Sequence, residues 1–439
     1  MKQETLEKFA GEIGNNFKQT EIGLIPEDWE VVRLREVSKY MKAGGTPRRS
    51  IKEYWNGDIP FVKIEDITSS GKYLLETKEK ISKKGLDNSS AWLVPPNSIL
   101  LSMYASIGEV TITKFPVATN QAILAIIPNE KTTVDFLYYC LKLHGKRLYS
   151  YIVQTTQKNV NKAITENLPI PLPPLEEQRK IARVLDKIQQ AIEIQDRIIE
   201  QAKRLKKSLM QKLFTEGLYG EEQKETEIGL IPKSWEVVRL GELSEIKYGY
   251  RTSIPKISES NGIPIISMAD ITSEGQILWD NIRRIKVNQT IIQRHQLNDG
   301  EILFNWRNSP EHVGKTAIFR KIYSEPYICA SFIIRIRTIE SYLSSVFLHY
   351  QIMFMKINGY FAQKSRRAVG QTNFNASVLK NLPILLPPLE EQKQIAHILS
   401  VVDEKIEVEQ KRKQVLKELF KTMLHKLMSG GIRLKEVEI

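Results

Sequence analysis

Two stretches of this chain repeat apolar residues every three or four positions for some forty residues without a Gly or Pro, a spacing that predicts long amphipathic helices. The first covers 175–216. Pro173 and Pro174 precede it, Glu176 and Glu177 complement the positive end of its dipole, Lys203, Arg204, Lys206, Lys207 and Lys212 crowd its far half, and Gly217 supplies a stop. The second runs from Leu389 to about Met428, with Gly430 and Gly431 beyond. Forty helical residues extend roughly 60 Å. A seven-residue register places Ile181, Ile188, Ala202 and Leu209 on one seam line and Val184, Ala191, Ile198 and Leu205 on the other, with Leu185, Ile192, Ile199 and Leu213 as a flank. The second helix continues this register through Ile395, Ile398, Val402, Leu416, Leu419 and Met423, and Gln195, Glu409, Lys405 and Arg412 make the middle of the seam polar. Neither helix persists alone without covering its stripe. An antiparallel coiled coil between the two is expected; a parallel pairing of each with another chain is the alternative.

Elsewhere the pattern changes to short runs rich in Ile, Val, Phe and Thr, punctuated by Gly, Pro and Asn, which predicts strands. IPFVKI, SILLSMY, EVTIT and QAILAIIP stand in the first half, and IPIISM, EILFNW, KTAIF and YICASFIIRIR in the second. Helical stretches at Thr133–Ser150 and Ser341–Asn358 follow them. Each half reads as an α+β module followed by a long helix.

The halves are copies. TEIGLIPEDWEVVRLRE at 20–36 returns at 226–242 with 14 of 17 positions identical, and NLPIPLPPLEEQRKIARVL at 167–185 returns at 381–399 with 14 of 19 identical. Between these ends most of the sequence differs, although DIPFVKIEDITSSG (58–71) echoes GIPIISMADITSEG (262–275). A repeated frame with divergent interiors suits two binding specificities on one scaffold, although drift after duplication leaves the same trace. The divisions are a tail at 1–19, a module at 20–174, a helix at 175–216, a linker at 217–225, a module at 226–388 and a helix at 389–432.

Composition narrows the partner. The 439 residues carry 64 Lys and Arg against 51 Asp and Glu, an excess of +13 that favours polyanions. Two cysteines, Cys140 and Cys329, match no disulfide or metal spacing and are expected as buried thiols; with no long apolar run, a cytoplasmic protein is expected. An adenine methyltransferase would need a glycine-rich cofactor loop and an Asn/Asp-Pro-Pro-aromatic motif, and neither is present. Gly314-Lys315-Thr316 lacks the upstream glycine of a phosphate-cradling loop, with Ser309 in its place. No catalytic, cofactor or metal site is expected. A nuclease with an irregular metal site, or a protein-binding scaffold, stand as the other readings.

Readers of duplex DNA need cations for phosphate and Arg, Lys, Asn, Gln, Ser or Thr for base edges. In the first module the candidates are Lys42, Thr46, Arg48 and Arg49 around a flexible Gly-Gly, and Ser102 and Tyr104 after a strand. Tyr250, Arg251, Thr252, Asn305 and Arg307 hold equivalent places in the second, with Trp306 between the last two. Tyr104 and Trp306 are equally readable as core aromatics. Before each long helix lies a Q-x-N-x-N pattern, Gln157, Asn159 and Asn161 in one copy and Gln371, Asn373 and Asn375 in the other, with Lys158 inside the first and Lys364, Arg366 and Arg367 ahead of the second. Its amides suit DNA contact and helix capping equally.

The ordered set EIGLIPxxWEVVRL, GGTP, IPFVKIEDI, Q-x-N-x-N and LPIxLPPLEEQxxIAxxL, duplicated except for GGTP, resembles the specificity subunit of type I restriction-modification systems along nearly the whole chain. The second module departs from it at Tyr248–Ser253, where GGTP is missing. The resemblance implies a non-catalytic subunit whose modules are two target recognition domains, each reading half of a split, asymmetric DNA site. It further implies that the helices act as ruler and docking surface for two methyltransferase subunits, joined by translocating endonuclease subunits. S-adenosylmethionine, ATP and Mg would belong to those partners.

Overall fold

The computed structural model describes residues 17–149, 160–252, 261–307, 309, 312–366 and 374–435. It divides into two compact units, one of residues 1–196 and 411–439, the other of residues 197–410. No described helix is long and apolar enough to cross a membrane.

In unit one a five-stranded sheet has the order Ser38–Ala43, Ile123–Pro128, Ser98–Ser102, Val110–Thr113 and Tyr73–Leu74. Ile99 and Leu101 face a core shared with helix Val134–His144 and the long helices, while Leu100 between them faces Val62, Leu74 and Val117. Both faces are covered, which is why these strands read as unbroken apolar runs. A smaller sheet, Ala118–Thr119, Trp55–Val62 and Glu79–Ile81, lies beside it in sequence and space.

Unit two repeats the plan with a four-stranded sheet, Ser244–Tyr248, Ile333–Thr338, Ile302–Asn305 and Thr316–Ile318, and a three-stranded sheet, Arg283–Ile285, Ile263–Ile266 and Ile328–Cys329. The run YICASFIIRIR is therefore two strands in two sheets, because Ala330–Phe332 forms a turn closed by Ile333 N donating to Ala330 O. The first-module helix ends at His144 and its counterpart covers Ser345–Ile357, both shorter than their sequence patterns suggest. Cys140 and Cys329 are buried free thiols, and burial pushes the Cys329 thiol up to about 12.

The long helices span Leu175–Glu216 and Leu389–Met428. Within unit one Lys413 pairs with Asp196 while Leu434 N reaches Glu177, and within unit two Lys206 Nζ lies 2.6 Å from Asp403 while Leu218 N reaches Glu391, so in each unit the two segments run antiparallel. One seam line is Ile181, Ile188, Ala202 and Leu209 as expected from sequence, but the other is shifted by one residue. Leu185, Ile192, Ile199 and Leu213 are buried, whereas Leu205 is 52% exposed. The same shift in the second helix buries Leu399, Ile406 and Leu427 and leaves Lys405 and Arg412 outside the seam. Of the polar seam residues, Gln195 and Glu409 are buried. The sequence pattern allowed either line because a wide apolar stripe fits two neighbouring heptad registers.

The repeated blocks explain each other once folded. Trp29 Nε1 donates to Glu177 at 3.0 Å and Trp235 Nε1 to Glu391 at 2.9 Å, with both indoles fully buried. Gln178 and Gln392 sit at 0% exposure; each donates to two carbonyls, from Lys131 and Pro173 in unit one and from Tyr342 and Pro387 in unit two. Their side-chain oxygens accept the Thr133 and Ser344 amides that lead into the module helices. Module start, module helix and long helix are thereby tied at one point in each unit.

The ends of the long helices close the same joints. Gly217 and Gly430 adopt φ of +67° and +71°, which an L side chain resists. Leu218 N then donates to Glu391 and Leu434 N to Glu177. In unit one Arg433 adds paired bonds of 2.9 Å to Asp28, and that hydrogen-bonded guanidinium holds the Asp28 carboxyl at about 2.

Candidate nucleic-acid interface

The loop after the first sheet strand of each module is pressed onto the turn that leads from the small sheet into the central strand. Gly44 N donates to Ile123 O and Gly45 N to Thr119 O; in unit two Gly249 N donates to Ile333 O and Tyr250 N to Cys329 O. A Cβ at Gly44 would stand 1.9 Å from the Thr119 carbonyl oxygen, and one at Gly249 would stand 2.3 Å from that of Ala330. The glycines therefore serve close approach, not the flexibility expected from sequence. Gly249 is the structural counterpart of Gly44, so the second module keeps this contact without the GGTP motif.

The turns are built alike. Ile123 N donates to Asn120 O and Met103 N to Ala122 O; Ile333 N donates to Ala330 O and Trp306 N to Phe332 O. A shared carboxylate steadies the neighbouring segment: Asp66 accepts from Lys63 N at 2.8 Å and Asp270 from Ser267 N at 2.7 Å, which accounts for the surviving D-I-T echo. Side chains on this shared backbone differ. Thr46 donates to Gln121 Oε1 at 2.6 Å across loop and turn, whereas the second turn has Ser331 at the place of Gln121 and, one residue on, Phe332 at 39% exposure. Neither Gln121 nor Phe332 was singled out by sequence, because a Gln or Phe at the head of an apolar run carries no periodic signal.

Several candidates stand around these turns. Lys42 is half-buried with its ammonium 5.7 Å from the Trp92 ring. Arg48 is exposed, and Trp55 Nε1 donates to its carbonyl. Arg49 lies 3.8 Å from the centre of the Trp55 ring and 2.8 Å from Glu79, so it braces the loop. In unit two Arg251 and Thr252 line a cleft of about 870 Å³ with Asp270, Arg283, Ser331 and Phe332. Arg307 is exposed, 5.5 Å over the Phe332 ring. Tyr250 is half-buried against Ile265, Ile328 and Ala330, with its ring 5.5 Å from His295.

Other candidates are placed elsewhere. Ser102 and Asn305 are both at 0% exposure, at equivalent strand ends. The Ser102 hydroxyl donates to Tyr104 O, and Asn305 Nδ2 to His312 O, so both shape turns from inside and present nothing to a ligand. Tyr104 packs partly into the main core of unit one. Trp306 is half-buried and donates to Ser331 O at 2.7 Å, bracing the second turn. Asn161 and Asn375 cap short helices, accepting from Ile164 N and Val378 N at 2.9 Å each, the capping role that their pattern suited alongside DNA contact. Lys364 is exposed beside Tyr360 in helix Tyr360–Arg366, which ends at Arg366. Gln157, Lys158, Asn159, Arg367, Gln371 and Asn373 lie outside the described residues. Gly314-Lys315-Thr316 forms a turn, with Gly314 N donating to Asn305 O and Thr316 buried in the sheet.

Comparison with known proteins identifies the family and the fold. A family model described as type I restriction modification DNA specificity domain matches residues 26–204 and 232–418. The chain is 31% identical over 433 residues to the type I restriction enzyme MjaVIII specificity subunit of Methanocaldococcus jannaschii, covering 96% of this chain and 97% of the relative. It is 22% identical to the EcoKI specificity subunit of Escherichia coli K12, covering 85% and 82%. Its fold is similar to that of a type I restriction-modification S subunit from M. genitalium, with a TM-score of 0.58, 15% identity and coverage of 95% and 98%. A structure reported for complex assembly and conformational transition of the type I R-M system gives a TM-score of 0.56 at 19% identity, covering 92% and 99%.

Proposed function

The chain belongs to the family of type I restriction-modification specificity subunits, and from that membership we propose that its modules read the two halves of a bipartite, asymmetric DNA site. The observation that carries this reading is the pair of turns described above, which share a backbone and differ in outward side chains: Gln121 with Thr46 in unit one, Phe332 with Arg251 and Arg307 in unit two. Equal scaffolds with unlike contact chemistry suit two different half-sites. Exposed cations near each turn, Arg48 in one and Arg251 in the other, supply phosphate contacts.

The long helices set the spacer between half-sites and receive two methyltransferase subunits, with endonuclease subunits joining them. Apolar side chains left outward on the helices support docking: Ile194 and Val415 in unit one, Leu205, Val401 and Val408 in unit two, all exposed. In this reading S-adenosylmethionine, ATP and Mg act in the partners.

The test is a domain exchange. Replacing residues 38–166 with the equivalent region of another specificity subunit, followed by sequencing of methylated sites in cells that also make the methyltransferase, is expected to change one half-site and preserve the other. A change in both halves refutes modular reading. Inserting one heptad into both helices is expected to alter the spacer alone, and an unchanged spacer defeats the ruler.

A further inference from the structure

We propose that the turn entering the central strand is the base-selecting element of each module, with Gln121 choosing adenine in one half-site and Phe332 choosing thymine in the other. The proposal rests on the DNA-reading function above and deepens it to single residues.

Three observations converge. The backbone of the turn is the same in both units, down to the bond from the neighbouring strand end, Met103 N to Ala122 O and Trp306 N to Phe332 O. A part held this firmly positions whatever side chain it carries, and the residues it carries are unlike. The loop with the exposed cations is locked to the same turn by Gly44 in one unit and Gly249 in the other, so phosphate-binding and base-reading groups share one rigid edge. Finally, the chemistry exposed at that edge is the chemistry of base edges.

Gln121 is exposed, and Thr46 fixes its orientation by donating to Oε1. The amide keeps its Nε2 hydrogens and a second Oε1 lone pair, the pattern that meets the N7 acceptor and N6 donor of adenine in the major groove. Phe332 instead presents an apolar ring at 39% exposure, and its polar neighbours are Arg307 above the ring and Ser331 beside it. An apolar ring on a polar, cationic edge has one complementary group in the major groove, the 5-methyl of thymine. The counterpart of Phe332 in unit one is Ala122, whose small side chain leaves Gln121 unobstructed.

The experiment uses the full chain produced with its methyltransferase partners. Methylated sites are sequenced for the wild type, Gln121→Ala and Phe332→Ala. Each variant is expected to lose about tenfold discrimination at one base pair, an adenine in one half-site for Gln121 and a thymine in the other for Phe332, with the opposite half-site unchanged. Wild-type motifs from both variants would overturn the proposal while leaving bipartite reading intact; a wild-type complex that methylates without any bipartite motif would overturn the reading beneath it. Where Gln121→Ala yields no methylation, binding of the wild-type complex to duplexes carrying 7-deazaadenine for adenine decides: loss of affinity at one position supports the contact and equal affinity throughout refutes it. Where Phe332→Ala yields none, duplexes carrying uracil for thymine, one position at a time, decide. Loss of affinity at a single position supports the Phe332 contact, and equal affinity at every position in that half-site refutes it.

Discussion

Both units fasten a module helix to a long helix with a tyrosine, an aspartate and a buried lysine, yet they draw the lysine from different places. In unit one Tyr139 donates to Asp186 of the first long helix at 2.6 Å, and the lysine is Lys72 of the recognition module, which also reaches Asp135 at 2.6 Å. In unit two Tyr350 donates to Asp403 of the second long helix at 2.7 Å, and the lysine is Lys206 of the first long helix. The tyrosines are equivalent; the other members are not. A buried charge needs a partner, and a pair taken out of water needs further hydrogen bonds, so the trio persists as a chemical set while its positions drift. Burial works against charge on Lys72, but its bonds to Asp135 and Asp186 prevail and keep its pKa above the ordinary lysine value. By contrast the Trp–Glu–Gln set recurs at matched positions in both units, where three chain segments meet, and in unit one Arg433 pairs with the same Glu177.

That contrast can be broken most forcefully at the joint. Trp29→Ala and Trp235→Ala each empty a fully buried site, although Glu177 keeps Arg433 and the Leu434 amide and Glu391 keeps the Leu218 amide, and each is expected to destabilise its own unit by about 3–5 kcal/mol. Hydrogen exchange by mass spectrometry resolves which residues lose protection; equal loss in both units from either variant contradicts two separate joints. Next in size are Gly44→Ala and Gly249→Ala, where the added carbon meets a carbonyl oxygen. About 1–3 kcal/mol of local strain is expected, with loss of reading in one half-site while the helices keep their melting behaviour.

Acid sharpens the comparison from another side, since each unit hides one neutral histidine. Burial, aided by Arg147 and His425, pulls His144 down to about 3, and burial with Lys206 and Arg320 does the same to His349. An unfolded histidine titrates near 6.5, so below that pH the unfolded chain binds a proton that the folded one refuses. Stability is full above pH 6.5 and is expected to fall by about 1.4 kcal/mol per pH unit per histidine as pH drops toward 3. Urea unfolding at pH 7, 6 and 5 should show a shallower slope for unit one alone in His144→Leu. The smallest effect belongs to the caps: Asn161→Ala and Asn375→Ala are expected to lose about 1 kcal/mol with the methylated sequence unchanged, and an altered sequence would return these asparagines to the DNA interface.

Much of this was legible in the residues. The strands SILLS and VTIT, the helix starts after Pro174 and Pro388, and the stop at Gly217 follow from periodicity and end chemistry, which act locally. The site was less legible. Ser102 and Asn305 looked like exposed readers because a polar residue at a strand end usually is, but here the strand end turns inward, so hydroxyl and amide hold the turn. Gln121 and Phe332 went unnoticed because each stands at the head of an apolar run, and only the fold sets it at the edge.

What the sequence determined by itself was the plan: duplication, two α+β modules, two long helices, and frame blocks that had to be kept. Those features rest on spacing along the chain and survive any tertiary arrangement. What only the folded structure decided was which of two adjacent heptad lines is buried, which glycine serves close approach, and which residues stand outward at the loop and turn. Each of these depends on contacts between segments far apart in sequence, such as Thr46 with Gln121 or Trp235 with Glu391, and no local pattern encodes a partner seventy or more residues away.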